Sequence, residues 1–401
     1  MSGSDVATPH LVTVSGQDGP GIAARLFAAL ATEKVVVEDV EQVRVHGHLL
    51  LCVEVTLAPS DAPALHAALG RELAAAGVDV AVDSLTEAEI DGGADRNLVT
   101  VLAPDIDAIT LESVAGAIAA CGGNIERIVR LAAYPVHSYE LIVAGADLHE
   151  MRRRLATAAA EHEVDIAVQA AGLHRRAKHL IVLDADSTLL QGEVIDLLAE
   201  RCGRGPEVAA VTEAAMAGEL DFEDALRGRV RLLAGLKETD LDAVRDDMVL
   251  TPGARTLVRT LKRLGYEIAV VSGGFTQVIE TLVADLGIDH LAANELALDG
   301  GVVTGELRGP IVDRAGKAEA LARFAASAGV PVARTIAVGD GANDIDMLAA
   351  AGLGIAFNAK PVVRRAADTA LSVPYLDAIL FLLGISRREV EEADRREGAL
   401  A

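Results

Sequence analysis

Tryptophan is absent from the 401 residues, and aromatic side chains together make up only 2% of the chain. So few flat π surfaces remove the stacking platforms on which proteins hold bases. Basic residues are outnumbered too, 36 against 60 acidic, for a formal net charge of −24. Phosphate-backbone contacts need Lys and Arg, so this balance argues against nucleic acid as a partner. Cysteine occurs three times, as the widely spaced Cys52, Cys121 and Cys202. Without a Cys-x-x-Cys or a Cys/His cluster these read as buried thiols, not as disulfides or a metal site. Long apolar runs are also missing. The strongest one near the C-terminus, Ala378 to Ile385, is too short to span a bilayer. Met1 to Pro9 carries Asp5 and has neither a basic nor an apolar leader segment. These absences predict a soluble, cytoplasmic chain with no membrane partner.

What is present is aliphatic. At 51% hydrophobic, the chain can bury a full core, which excludes wholesale disorder. At about 150 residues per domain the length predicts two to four units. An anionic substrate would have to meet a locally positive site against the acidic field of the whole protein.

The order of elements divides the chain. Leu11-Val12-Thr13-Val14 is echoed by Leu98-Val99-Thr100-Val101, each opening a βαββαβ run. In the first, Ile22, Leu26, Phe27 and Leu30 recur at helical spacing and predict one buried face. His46-Gly47-His48 punctuates a hairpin. Glu87 to Arg96 is polar and reads as a linker. From about Lys178, short apolar runs alternate with helical segments. Each run ends in polar residues: Leu180 to Leu183 before Asp184, Ile268 to Val271 before Ser272-Gly273-Gly274, Thr335 to Val338 before Gly339-Asp340-Gly341. Alternating strands and helices predict a Rossmann-like, doubly wound parallel sheet, whose ligands sit beyond the carboxyl ends of the strands. The insertion 192–251 is charged and helical in pattern, and reads as a small helical cap. Asp299-Gly300-Gly301 predicts a hairpin. The tail Arg387 to Glu397 mixes both signs and predicts a solvated helix or frayed end. The expected architecture is therefore α/β, with α+β units at 8–86 and 95–171 preceding a parallel-sheet domain at 178–386.

The polar strand ends carry the chemistry. Asp184-Ala185-Asp186-Ser187-Thr188 places two carboxylates just past a buried strand, where they are costly unless paired or metal-bound; an ordinary turn is the alternative. Ser272-Gly273-Gly274 lets backbone amides approach an anion. Gly339-Asp340-Gly341-Ala342-Asn343-Asp344 adds two carboxylates and an amide, with Lys317 ahead of it. Oxygen donors without nearby His or Cys suit Mg²⁺.

Together these four motifs, spanning about Leu180 to Leu383, resemble the haloacid dehalogenase superfamily of phosphohydrolases, and within it the phosphoserine phosphatase family. The two front units, through Gly16-Gln17-Asp18-Gly19-Pro20-Gly21 and their element order, resemble ACT domains, which sense amino acids. The resemblance implies hydrolysis of O-phospho-L-serine, the last step of serine biosynthesis, with Asp184 as nucleophile forming an aspartyl-phosphate and Asp186 as acid and then base. It implies Mg²⁺ held by Asp184, the Asp186 carbonyl and Asp340, with Asp344 supporting the metal or its waters. Lys317 would neutralise the phosphate, Ser272 and the Gly273 amide would hold its oxygens, and Asn343 would position the substrate. Glu193 would meet the substrate ammonium and Arg229 its carboxylate, where a guanidinium fork fits. Met216 and Phe222 match apolar cap positions near the substrate; plain cap core is the other reading. For the front units it implies homodimerisation and an L-serine effector at Asp18, Gly19 and Gly21. The second unit has Ala103-Pro104-Asp105-Ile106-Asp107-Ala108 at that loop, without glycine. Three alternatives stay open: another small-molecule phosphatase of the superfamily, a homoserine-accepting phosphotransferase, and a non-enzymatic amino-acid sensor.

Overall fold

The computed structural model describes residues 7–86, 95–172, 178–216 and 219–398, excluding the Met216 side chain, so the expectation for Met216 lies outside the described residues. The chain forms two compact units, Met1–Ala94 and Asp95–Ala401.

The first unit runs β1 (Thr8–Gln17), α1 (Ile22–Thr32), β2 (Val36–Val45), β3 (His48–Leu57), α2 (Ala62–Leu73), β4 (Val78–Ser84). Its antiparallel sheet has the order β2-β3-β1-β4. Burial alternates along β1 and β3, with Val12 opposite Val53 and Val14 opposite Leu51 facing the helices. This is the pattern of a sheet covered on one face. Ile22, Leu26 and Leu30 of α1 are buried as expected, but Phe27 is 39% exposed. A spacing of five from Ile22 carries it 140° around the helix, off the buried stripe. All of β2 is exposed.

The second unit begins with the same order: β5 (Arg96–Ala103), α3 (Ala108–Ala119), β6 (Asn124–Ala133), β7 (His137–Ala144), α4 (Leu148–His162), β8 (Asp165–Ala170), in a sheet β6-β7-β5-β8. Here β5 is buried along nearly its whole length. Val99 and Val101 face the helices of this subdomain. Leu102, on the other face, joins the core of the parallel-sheet domain, with Leu131, Ala132 and Ala167.

That domain is built on a seven-stranded sheet in the order β12-β11-β10-β9-β13-β14-β15. Its strands are β9 (Leu180–Asp184), β10 (Glu267–Phe275), β11 (His290–Asp299), β12 (Val302–Arg308), β13 (Thr335–Gly339), β14 (Gly354–Phe357) and β15 (Thr369–Leu371). All pair in parallel except β12, which forms the expected hairpin with β11. Every residue of β9, β13 and β14 is buried because both faces are covered. Ile181 and Leu183 face one core, Leu180 and Val182 the other.

Between β9 and β10 lie α5 (Val194–Arg201), α6 (Gly205–Met216), α7 (Phe222–Leu232), α8 (Glu238–Asp247) and α9 (Ala254–Arg263). The first four fall within the segment read as a cap. Its two connections pair with each other at its base: Gln191 N donates to Val249 O (2.8 Å) and Thr251 N to Leu189 O (2.9 Å). The remaining helices are α10 (Thr276–Asp285), α11 (Arg314–Ser327), α12 (Ile345–Ala350), α13 (Pro361–Ala366), α14 (Ile379–Leu382) and α15 (Arg387–Arg396). The tail helix α15 corrects the expectation of a solvated end. Val390 and Asp394 are buried, and Arg259 and Arg263 of α9 grip the Asp394 carboxylate. Among the described residues no helix is long and apolar enough to cross a membrane. Cys52, Cys121 and Cys202 are free thiols.

Candidate active site

The parallel strands aim their carboxyl ends at one place. Asp184 closes β9, Ser272 to Gly274 lie near the end of β10, and Gly339 closes β13 just before Asp340. Because β9 lies between β10 and β13, these loops converge, and the cap lies over them. Asp184, Asp186, Glu193, Phe222, Arg229, Gly273, Lys317, Asp340 and Asn343 line a single cavity of about 80 Å³.

Lys317, from the first turn of α11, has no exposed surface. Its ammonium lies 2.7 Å from Asp184 Oδ1 and 2.7 Å from Asp344 Oδ1. Burial opposes its charge, but Asp184 and Asp344 outweigh burial and hold it protonated above the ordinary lysine range. Burial pushes the Asp184 carboxyl well up, Lys317 pulls it down, and Asp344 and Asp186 raise it again. Burial also pushes Asp340 up, to about 6, with Asp344 adding to the rise and Lys317 opposing it. Asp184, Asp340 and Asp344 bring carboxylate oxygens within 4.8 Å of one another, an all-oxygen group able to hold a hard cation. Asp344 gives one oxygen to Lys317 and the other to the Gly341 amide, 2.9 Å away.

Asp186 is placed differently. Its Oδ1 accepts from Val194 N (2.8 Å) at the start of α5, and its Oδ2 accepts from Ser272 Oγ (3.1 Å). Burial pushes this carboxyl up, and both hydrogen bonds hold it down. The Ser272 hydroxyl, expected at the phosphate, is fully buried, donating to Asp186 and accepting from Gly274 N (2.8 Å). The next residue of the first loop, Ser187, has φ 57°, a strained value for a residue with a side chain.

Two glycines of the motifs sit where neighbouring side chains come close. A Cβ on Gly274 would lie 3.1 Å from Asp186 Oδ2, and one on Gly339 would lie 2.4 Å from Asp344 Cγ.

From the cap, Glu193 and Arg229 face the same cavity. Partial desolvation, then Asp186, Asp340 and Asp196, push the Glu193 carboxyl up to about 7, although its side chain keeps an open flank. Arg229 does not pair with Glu223, which instead binds Arg227 (2.6 Å). Its Nε is buried and has no hydrogen-bond partner among the described residues. Phe222 lines the cavity over Gly273. Two supporting residues fall outside the expected set. Thr188 Oγ1 donates to Asp340 (3.3 Å); its place inside the Asp184–Thr188 motif is the only signal for it. Asn294, buried on β11, donates to the Gly273 carbonyl (2.8 Å) and accepts from Val312 N (2.8 Å), tying down the glycine loop; nothing in its local sequence marks it.

In the loop of the first unit, Arg44 Nε sits 2.7 Å from Asp18 Oδ2. Gly21, at φ 89°, ends that loop as the N-cap of α1. In the second unit Asp107 takes the capping place, accepting from Thr110 N (2.8 Å).

Residues 181–349 match the haloacid dehalogenase-like hydrolase family, and residues 8–83 and 96–169 each match an ACT domain family. The chain is 54% identical over 399 residues to a phosphoserine phosphatase of Streptomyces coelicolor, covering 98% of this chain and 95% of that one. It is 49% identical over 388 residues to a phosphoserine phosphatase of Mycobacterium tuberculosis, covering 96% and 95%. Among solved structures it resembles a haloacid dehalogenase-family hydrolase of Salmonella enterica serovar Typhi, with TM-score 0.64, 28% identity, and 72% of this chain and 98% of that one covered.

Proposed function

The chain belongs to the phosphoserine phosphatase family of haloacid dehalogenase-like hydrolases, and on that premise we propose that it hydrolyses O-phospho-L-serine to L-serine and phosphate. The observation that carries the substrate assignment is the buried Nε of Arg229, which has no hydrogen-bond partner among the described residues and lies in the cavity that Glu193 also lines. A buried guanidinium N–H without an acceptor is costly. A substrate carboxylate supplies that acceptor, and Glu193 supplies the counter-charge for the ammonium.

Asp184 attacks phosphorus, forming the aspartyl-phosphate as the bond to the serine oxygen breaks. Asp186 donates its proton to that leaving oxygen, then takes a proton from the water that attacks the phospho-aspartate and releases phosphate. The two carboxyls need opposite protonation at the start, and their surroundings differ accordingly. Lys317 lies against Asp184 and favours the anion there, whereas on Asp186 burial favours the protonated acid and the Val194 and Ser272 hydrogen bonds oppose it. Lys317 also neutralises the phosphate, the Gly273 amide and Asn343 line its seat, and Ser272 holds Asp186 in place.

The oxygen-only donors fit Mg²⁺. Asp184 and Asp340 would hold it with the Asp186 carbonyl, and Asp344, already bonded to Lys317 and Gly341, would support it from behind. Such an ion would supply charge neutralisation for the transferring phosphoryl group.

In this reading the enzyme works in the cytoplasm as a homodimer. The exposed Val36, Val40, Val43 and Val45 on β2 support self-association. L-serine feedback through Asp18, Gly19 and Gly21 rests on the ACT resemblance, and a serine titration followed by activity and sedimentation tests both ideas.

The decisive assay is phosphate release from a panel of phosphorylated small molecules, with Mg²⁺ and with chelator, and with homoserine added as acceptor. Metal-dependent release fastest from O-phospho-L-serine is expected. Preference for an ester lacking an amino acid, or transfer to homoserine, overturns the assignment in favour of a sister activity. No release from any substrate favours the sensor.

A further inference from the structure

A groove of about 930 Å³ lies within the second unit, between α4 and β8 on one side and α13 and β15 on the other. It is far larger than the catalytic cavity and shares no residue with it. In a chain with so large an acidic excess, its lining is unusual: Arg152, Arg153, Arg364 and Arg365 face Glu163, Asp165 and Asp368.

The carboxylates there are held by backbone amides. Ser372 N donates to Asp165 Oδ2 (2.6 Å), and Gly354 N donates to Asp368 Oδ2 (2.9 Å). The guanidiniums stand off from them, at 3.8 Å for Arg152 to Asp368 and 3.7 Å for Arg364 to Asp165, outside hydrogen-bond reach. Arg152 is aimed by its Nε, which donates to the Val168 carbonyl (3.1 Å). Arg365 has no ion pair or hydrogen bond among the described residues. Acceptors and donors of both signs are thus arranged around one groove with donors left over. Ala156, Ala159 and Ala160 on the α4 side leave it open.

We propose that this groove is a second ligand site, taking a small free amino acid. Its carboxylate binds the forks of Arg364 and Arg365, the geometry guanidinium suits best. Its ammonium faces Asp165 and Asp368. A bare anion would meet three carboxylates as well as the arginines, and a bare cation the reverse, so the mixed lining favours a zwitterion. The occupant would bridge the second ACT-like subdomain to β15, the edge strand that pairs with β14, which pairs in turn with β13 beside Asp340. L-serine is the probe because the proposed reaction makes it; the groove chemistry itself does not depend on that reading.

The test is calorimetric titration of the full-length protein with L-serine, glycine and inorganic phosphate. It is run in an Arg229→Ala background, which weakens amino-acid binding in the catalytic cavity. L-serine or glycine should still bind that background, and adding Arg365→Ala or Arg364→Ala should weaken binding about tenfold or more. Arg365→Ala alone should leave phosphoserine turnover without added amino acid unchanged, which also reports an intact fold. The proposal fails if no amino acid binds the Arg229→Ala protein, if the added arginine variants leave affinity unchanged, or if phosphate alone binds. Loss of phosphatase activity in wild type with amino-acid binding retained would instead overturn the proposed reaction and leave the groove site standing.

Discussion

Lys317 Nζ and Asp184 Oδ1 meet at 2.7 Å in the interior, with the lysine wholly excluded from solvent. The same ammonium serves Asp344, so one cation balances two buried carboxylates. Removing one member of such a network leaves uncompensated buried charge. Lys317→Met should therefore abolish turnover and destabilise the protein by about 3–5 kcal/mol in urea unfolding. Lys317→Arg should not restore activity, since a planar guanidinium fork replaces the compact ammonium that meets Asp184 and Asp344. Wild-type stability in Lys317→Met would refute this account of the pair.

Asp184→Asn keeps the shape of the site and removes the nucleophile. Turnover of phosphoserine should fall by about 10⁴-fold or more, with the circular dichroism spectrum unchanged. Beryllium fluoride should form an acyl-phosphate mimic on wild type and none on the variant. Substantial residual activity would sink the nucleophile assignment.

Arg229→Ala tests substrate reading apart from chemistry. Losing one partner of a buried charge pair costs about 2 kcal/mol or more, so KM for phosphoserine should rise about thirtyfold or more. KM for an aryl phosphate without a carboxylate should barely move. Equal losses on both substrates would mean that Arg229 does not read the carboxylate.

Asp394 concerns stability. Burial pushes its carboxyl up, but Arg259 and Arg263 outweigh burial and hold it below the ordinary carboxylate range. Since the folded value lies below the unfolded one, the ionised group stabilises the fold fully above about pH 5 and ceases to do so as pH falls through the folded value. Asp394→Asn should cost about 1–3 kcal/mol at pH 7, and the difference from wild type should close in strong acid. A gap that stays constant into acid would show that packing, not charge, accounts for the loss.

Much of the catalytic site was legible along the chain because parallel strands deliver their last residues to one edge. Apolar runs ending in Asp184, in Ser272-Gly273-Gly274 and in Gly339-Asp340 announced both the strands and the place where they converge. The reasons for the glycines were not legible. Gly339 is needed because Asp344 lies where a Cβ would be, and a Cβ on Gly274 would crowd Asp186, contacts that a local motif cannot show. Ser272 is similar: its hydroxyl looked free for phosphate, but it bonds a carboxylate 86 positions earlier.

Periodicity recorded which side chains are buried, never against what. It gave β1 and β5 the same reading, yet β1 is covered on one face, whereas β5 also packs Leu102 into the core beneath the catalytic sheet. Tail helix α15 read as solvated because its charges are mixed, and only α9, more than a hundred positions earlier, decides that Asp394 is buried and paired. The sequence by itself determined the element order, the strand-end chemistry and an acidic, aromatic-poor surface, because these depend on neighbours within a few residues. Tertiary structure alone decided that one lysine serves two aspartates, that the Arg229 Nε is left without a hydrogen-bond partner among the described residues, and that arginines from α4 and α13 face one another across a groove, because each depends on residues brought together from far apart in the chain.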